Sequence, residues 1–188
     1  TALLLASRNL VPALHFVRDM PESDDKALHA LMEDKKKLFA GRELPDHTLG
    51  IIGLGAIGSL VAETAIKLGM KVVGYDPEIT VEGAWRLPSQ VKKAESVEEV
   101  VKAGDFITLH VPLVEKTRHL INVERIALMR NHAVLLNFAR DGLVDDAAVI
   151  AALQSKRLKY YLSDFPSVAL RHHPQVIAFP HLGASTAE

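Results

Sequence analysis

The order of five short segments constrains this chain more than any other feature. Thr48-Leu49-Gly50-Ile51-Ile52 is an apolar run that predicts a buried strand, and Gly53-Leu54-Gly55-Ala56-Ile57-Gly58 follows it directly. Ser59 to Leu68 then carries Leu60, Val61, Ala65 and Leu68 at helical spacing, with Gly69 to stop the helix. Lys71-Val72-Val73-Gly74-Tyr75 reads as a second strand and ends on Asp76-Pro77. Strand, glycine turn, helix, strand and carboxylate, in that order, are what a dinucleotide-binding unit requires; a glycine-rich hexapeptide alone would specify little.

Each glycine has a separate task in such a unit. Gly53 permits the tight turn, Gly55 lets the backbone approach a pyrophosphate, and Gly58 lets the helix pack close against the strand. The pyrophosphate belongs at the helix N-terminus, where the amides of Ala56 and Ile57 and the helix dipole favour an anion. Asp76 then accepts hydrogen bonds from the ribose hydroxyls. A carboxylate there repels a 2′-phosphate, and neither Pro77 nor Glu78 supplies a cation, so NAD is favoured over NADP.

The alternation continues downstream. Ser96 caps a helix over 97–103 that Gly104 closes, 105–110 is the next strand, and Asn122 caps 123–129 ahead of a strand at 133–136. A helix over 145–156 and strands at 160–163 and 176–179 complete the series. This pattern predicts an α/β fold, a doubly wound, mostly parallel sheet with helices on both faces. Residues 2–20 and 24–40 read as two helices parted at Pro21-Glu22-Ser23, with Gly41 as a C-terminal cap. Ser185 to Glu188 resembles a helix start with nothing after it, and the chain opens without Met, which suggests a piece of a longer polypeptide.

Composition excludes several classes. A formal net charge of −1 over 188 residues gives no global field for nucleic acid or an anionic membrane. With no cysteine, the chain has no disulfide, thiolate metal site or thiol nucleophile. Leu3 to Ala6 is too short to span a bilayer and lacks a preceding basic stretch, so neither a signal peptide nor a membrane helix is indicated and a cytoplasmic protein is expected. No metal site is expected: His172 and His173 are adjacent, and no other His stands at helical ligand spacing.

Ligands in doubly wound folds lie beyond the carboxyl ends of the strands. Those ends are Gly53, Asp76, His110-Val111-Pro112, Asn137 to Gly142, Asp164 and Pro180-His181, and polar residues gather there. Arg140, on a strand-end turn, can clamp a carboxylate with two parallel hydrogen bonds or serve the turn alone. His181 can carry the proton that accompanies hydride transfer, or be an ordinary hydrogen-bonded residue.

Gly-Leu-Gly-x-Ile-Gly at 53–58, Tyr-Asp-Pro at 75–77, His-Val-Pro-Leu at 110–113, Asn-x-Ala-Arg at 137–140 and Pro-His-Leu-Gly-Ala-Ser-Thr at 180–186 together resemble the D-2-hydroxyacid dehydrogenases. Asp-Phe-Pro at 164–166 and the final heptapeptide are most similar to the branch that oxidises D-3-phosphoglycerate, the entry to serine biosynthesis. The resemblance implies a Rossmann cofactor domain over 1–188, excised from a two-domain enzyme. Residues 1–40 would be helices at a domain or dimer interface, and 48–188 the Rossmann core. It implies that NAD accepts a hydride from a small-molecule D-2-hydroxy acid in a homodimer or higher homo-oligomer, with the fragment alone inactive. Arg140 would bind the substrate carboxylate, and His181 would be the general acid/base. Asp164 would hold the nicotinamide carboxamide. Thr117, His110, Val111, Pro112, Asn137, Ala139 and Gly183 would line the cofactor cleft.

Two departures stand out. The substrate domain that the family splits around its cofactor domain is not matched. The family also pairs its His with a Glu, and here positions 168 and 169 are Val and Ala, with no acid between Asp164 and Glu188. A second reading follows, an NAD(H)-sensing binding protein of the same family without dehydrogenase activity.

Overall fold

The computed structural model describes residues 1–21 and 24–183; the expectations at Glu22-Ser23 and at Ser185 to Glu188 lie outside the described residues. Seven strands lie among the described residues: β1 (Thr48–Ile52), β2 (Lys71–Tyr75), β3 (Val91–Lys93), β4 (Phe106–Leu109), β5 (Ala133–Asn137), β6 (Leu158–Ser163) and β7 (Val176–Ala178). Eight α-helices accompany them: α1 (Ala2–Ser7), α2 (Leu10–Arg18), α3 (Asp25–Lys35), α4 (Ala56–Lys67), α5 (Val81–Arg86), α6 (Val97–Ala103), α7 (Val123–Leu128) and α8 (Asp146–Gln154). The chain divides into two compact units, Thr1–Leu44 and Pro45–Glu188.

In the larger unit every residue of β1, β4 and β5 is buried, which is what strands covered on both faces require. All pairings are parallel, in the order β3-β2-β1-β4-β5-β6-β7. α4 packs on β1 and β2, α6 on β1, β2 and α7, and α8 on α7 and β6, so helices cover the sheet. Leu49, Ile51, Ile107, Leu109 and Leu135 are almost fully enclosed. Each such side chain contributes about 1.5–3 kcal/mol on burial. The strand order reverses between β1 and β4, so the crevice of the doubly wound fold opens there.

Helix starts follow their capping residues. Ser96 Oγ accepts from Glu99 N, Asn122 Oδ1 from Arg125 N, and Asp145 Oδ1 from Ala147 N and Ala148 N. α4 differs, because its N-cap is Gly55 and no side chain satisfies its first amides. It also begins at Ala56, inside the glycine turn, one turn before the apolar periodicity suggests. α5 and β3 were not expected from the sequence. β3 is a three-residue edge strand that exposes Lys92 and Lys93, and α5 leaves Val81 and Trp85 in solvent, so neither carries an apolar period.

The smaller unit departs from two continuous helices. The first breaks at Asn9, which takes a left-handed conformation (φ 50°) and donates from Nδ2 to Ala40 O at 2.8 Å. Asn accepts that conformation more readily than most residues. The second helix gives way at Lys36 to a 3₁₀ turn over Lys36–Phe39. Gly41 is not a left-handed cap. A Cβ there would stand 2.3 Å from Ser7 O, so glycine is needed for close backbone approach.

Candidate functional site

The sheet register brings the strand ends into line. Tyr75 pairs with Ile52, Ile52 with Leu109, Leu109 with Asn137, Asn137 with Ser163, and Ser163 with Ala178. One row therefore crosses six strands, roughly 24 Å at about 4.8 Å per strand. Gly53, Asp76, His110, Arg140, Asp164 and His181 all lie within three residues beyond this row.

At the switch point the three glycines have distinct surroundings. Gly53 adopts φ 94°, and a Cβ on it would lie 2.5 Å from His110 O. A Cβ on Gly58 would lie 2.0 Å from Gly53 O, so helix and turn touch backbone to backbone. A Cβ on Gly55 would meet nothing within 4 Å. Glycine at 55 is thus not demanded by the protein's own packing, while the amides of Ala56 and Ile57 beside it lack a side-chain cap.

Asp76 is held by the backbone around it. Its Oδ2 accepts from Leu54 N at 2.8 Å and its Oδ1 from Glu78 N at 2.9 Å. This ties the end of β2 to the glycine turn and leaves the remaining lone pairs for another donor. Asp76 lines a cleft of about 440 Å³ with Leu54, Ile79, Leu87 and Val91. The far wall of that cleft is formed at α5 and β3, the two elements the periodicity did not disclose. The near wall, Leu54 of the glycine motif and Tyr75-Asp76-Pro77, lies in motifs that the sequence does disclose.

Across the crevice, His110 Nε2 shares a hydrogen bond with the buried Thr108 hydroxyl at 3.1 Å. Burial lowers the His110 pKa from 6.5 to about 4, so the ring is neutral at pH 7. The loop after β4 is closed by Thr117, whose Oγ1 donates to Pro112 O at 2.7 Å and accepts from Val114 N at 2.8 Å. Thr117 thereby shapes the backbone between Val111 and Val114.

Asn137 is the post around which the β5 turn is wound. Only 1% exposed, it donates from Nδ2 to Arg140 O at 3.0 Å and accepts at Oδ1 from Ala139 N at 3.2 Å. His119 N donates to Gly142 O and Ile121 N to Leu143 O, which zips the β4 loop to this turn. Arg140 is exposed at its tip, and its Nη1 donates to Ala139 O at 2.6 Å. Arg140 and His181 share no hydrogen bond among the described residues.

β6 and β7 bring Asp164 and His181 together. His181 Nδ1 lies 3.3 Å from Asp164 Oδ2, and the Phe165 ring sits 4.8 Å from the imidazole. Asp164 Oδ1 is buried and makes no hydrogen bond. Gly183, next to this pair, is exposed with φ 54°. His172 is exposed, and His173 Nδ1 accepts from Gln175 N. No group of three or more His, Asp or Glu among the described residues could hold a metal ion.

Comparison with known proteins gives this arrangement a context. The family described as D-isomer specific 2-hydroxyacid dehydrogenase, NAD binding domain, matches residues 10–183. The chain is 43% identical over 159 residues to D-3-phosphoglycerate dehydrogenase of Methanocaldococcus jannaschii, covering 81% of this chain and 30% of that protein. It is 38% identical over 174 residues to hydroxypyruvate reductase of Thermotoga maritima, covering 87% and 55%. The apo crystal structure of Rhodotorula graminis D-mandelate dehydrogenase superposes with a TM-score of 0.82 at 27% identity, covering 98% of this chain and 54% of that one. The chain thus spans between 30% and 55% of the length of these relatives.

Proposed function

The chain belongs to the D-isomer specific 2-hydroxyacid dehydrogenase family as its NAD-binding domain, and from that premise we propose that it serves an enzyme oxidising a D-2-hydroxy acid, D-3-phosphoglycerate first among the candidates. The similarity to D-3-phosphoglycerate dehydrogenases supports that substrate and a place at the start of serine biosynthesis.

One observation carries the reading: Gly55 has open space where its Cβ would be, between two glycines whose Cβ atoms would strike backbone. A glycine that the protein's own packing does not need, at an uncapped helix start, is what close approach of a pyrophosphate to the backbone demands. The buried, unpartnered Asp164 Oδ1 fits the same group, since it offers an acceptor to a carboxamide. NAD, when bound, supplies the hydride-accepting ring. Asp76 receives the ribose hydroxyls, and the amides of Ala56 and Ile57 the pyrophosphate. His110, Val111, Pro112, Thr117, Asn137, Ala139 and Gly183 support the walls.

The chain's own groups divide the remaining work. Arg140 holds the substrate carboxylate through its guanidinium fork, giving up its bond to Ala139 O to do so. His181 takes the proton from the C2 hydroxyl as the hydride leaves C2, and returns it in the reverse direction. Leu10, Leu14 and Val17 on α2 expose apolar surface that supports a homodimer or higher homo-oligomer, which gel filtration tests.

Gly55→Ala tests the cofactor site. Its melting temperature should stay within about 2 °C of the parent, since nothing is displaced, while NAD affinity measured by calorimetry should fall by about tenfold or more. Unchanged affinity would refute the cradle. Turnover is tested separately, by NADH formation from D-3-phosphoglycerate in the full-length protein.

A further inference from the structure

We propose that Asp164 is the positioning residue of His181, a carboxylate that fixes the imidazole tautomer and takes the place of the acid missing at 168 and 169. The inference deepens the dehydrogenase reading and rests on His181 being its proton carrier.

Val168 is 78% exposed, and no residue from 165 to 183 is acidic. Asp164 fills the need from the neighbouring strand end. Its side chain is 7% exposed, whereas that of His181 is 54% exposed, so the carboxylate is the fixed partner and the imidazole the one that is oriented. Register between Ser163 and Ala178 sets the two segments side by side, and the Phe165 ring restricts rotation of the imidazole.

An ionised carboxylate only accepts hydrogen bonds, so the ring nitrogen beside Oδ2 must carry a proton. That nitrogen is Nδ1, at 3.3 Å. The distance is at the long end for such a bond, as is common in a site without substrate. Nε2 is then left with its lone pair, ready to take the hydroxyl proton. The two oxygens of Asp164 have separate uses: Oδ2 orients His181, and the buried, unbonded Oδ1 remains for the cofactor's carboxamide. A single buried carboxylate thereby couples the proton carrier to the hydride acceptor.

Nitrogen-15 NMR of the imidazole rings in the cofactor-free chain tests this directly, with His181 assigned through His181→Gln. The neutral His181 ring should be mainly Nδ1–H, and Asp164→Ala should move the Nδ1–H to Nε2–H ratio toward Nε2–H by about tenfold. A ring already Nε2–H in the parent would overturn the proposal, as would an unchanged ratio in Asp164→Ala with a native-like amide spectrum. The parent spectrum decides alone if the variant does not fold. The readout needs neither cofactor nor substrate, so failure of NAD binding or turnover would strike the dehydrogenase reading without touching the tautomer.

Discussion

Gly58 and Gly55 differ by three positions in sequence and by opposite physical demands. Gly58→Ala forces a Cβ to 2.0 Å from Gly53 O, where only backbone could yield. We expect it to cost about 3 kcal/mol or more in urea titration, against near-neutral Gly55→Ala. His110 makes a second prediction. With its pKa depressed from 6.5 to about 4, the unfolded chain binds the proton first as pH falls. Its contribution is fully present above about pH 6.5 and is lost progressively toward pH 4, by up to about 3 kcal/mol. Parent and His110→Gln should therefore converge or cross between pH 7 and pH 4.5. A constant stability difference across that window would mean that the ring is not buried neutral. The glycines and Asp76 were legible because their chemistry is local. The bond from Leu54 N to Asp76 was not, because it joins two strand ends that only the sheet makes adjacent.

Elements were legible in proportion to how much apolar surface they bury. β1 and β2 have the limits their apolar runs suggest, and α6 and α7 start at the caps that Ser96 and Asn122 advertise, while α8 begins one residue later than the expected 145 because Asp145 is its cap. β3 and α5 were missed because an exposed edge strand and a helix presenting Trp85 to solvent leave no periodic mark. The break between α1 and α2 was missed because it is made by a distant acceptor, Ala40 O, that holds Asn9 in place. The end of α7 depends likewise on a remote residue. Arg157 donates to Ala127 O, Met129 O and Asn131 Oδ1, so it satisfies carbonyls that a six-residue helix leaves open. Arg157→Met should cost about 2 kcal/mol in urea titration and raise amide exchange in α7 first. Equal exchange throughout the larger unit would show that Arg157 does not cap that helix.

Across the molecule, cofactor binding should appear as stability. At a hundredfold excess over its dissociation constant NAD adds about 2.7 kcal/mol, which corresponds to a rise in melting temperature of roughly 5–10 °C for a chain of this length. NADP at the same concentration should add little, because Asp76 opposes a 2′-phosphate. An equal shift with NADP would refute the assigned role of Asp76. No helix among the described residues is long and apolar enough to cross a membrane. Sequence by itself determined the α/β alternation, the glycine turn and the strand-end positions of Arg140, Asp164 and His181, since these follow from local periodicity and residue chemistry. Tertiary structure alone decided which of those ends meet. Parallel pairing of β6 with β7 brings a buried carboxylate to an exposed imidazole, and no local pattern encodes a contact made by register between strands.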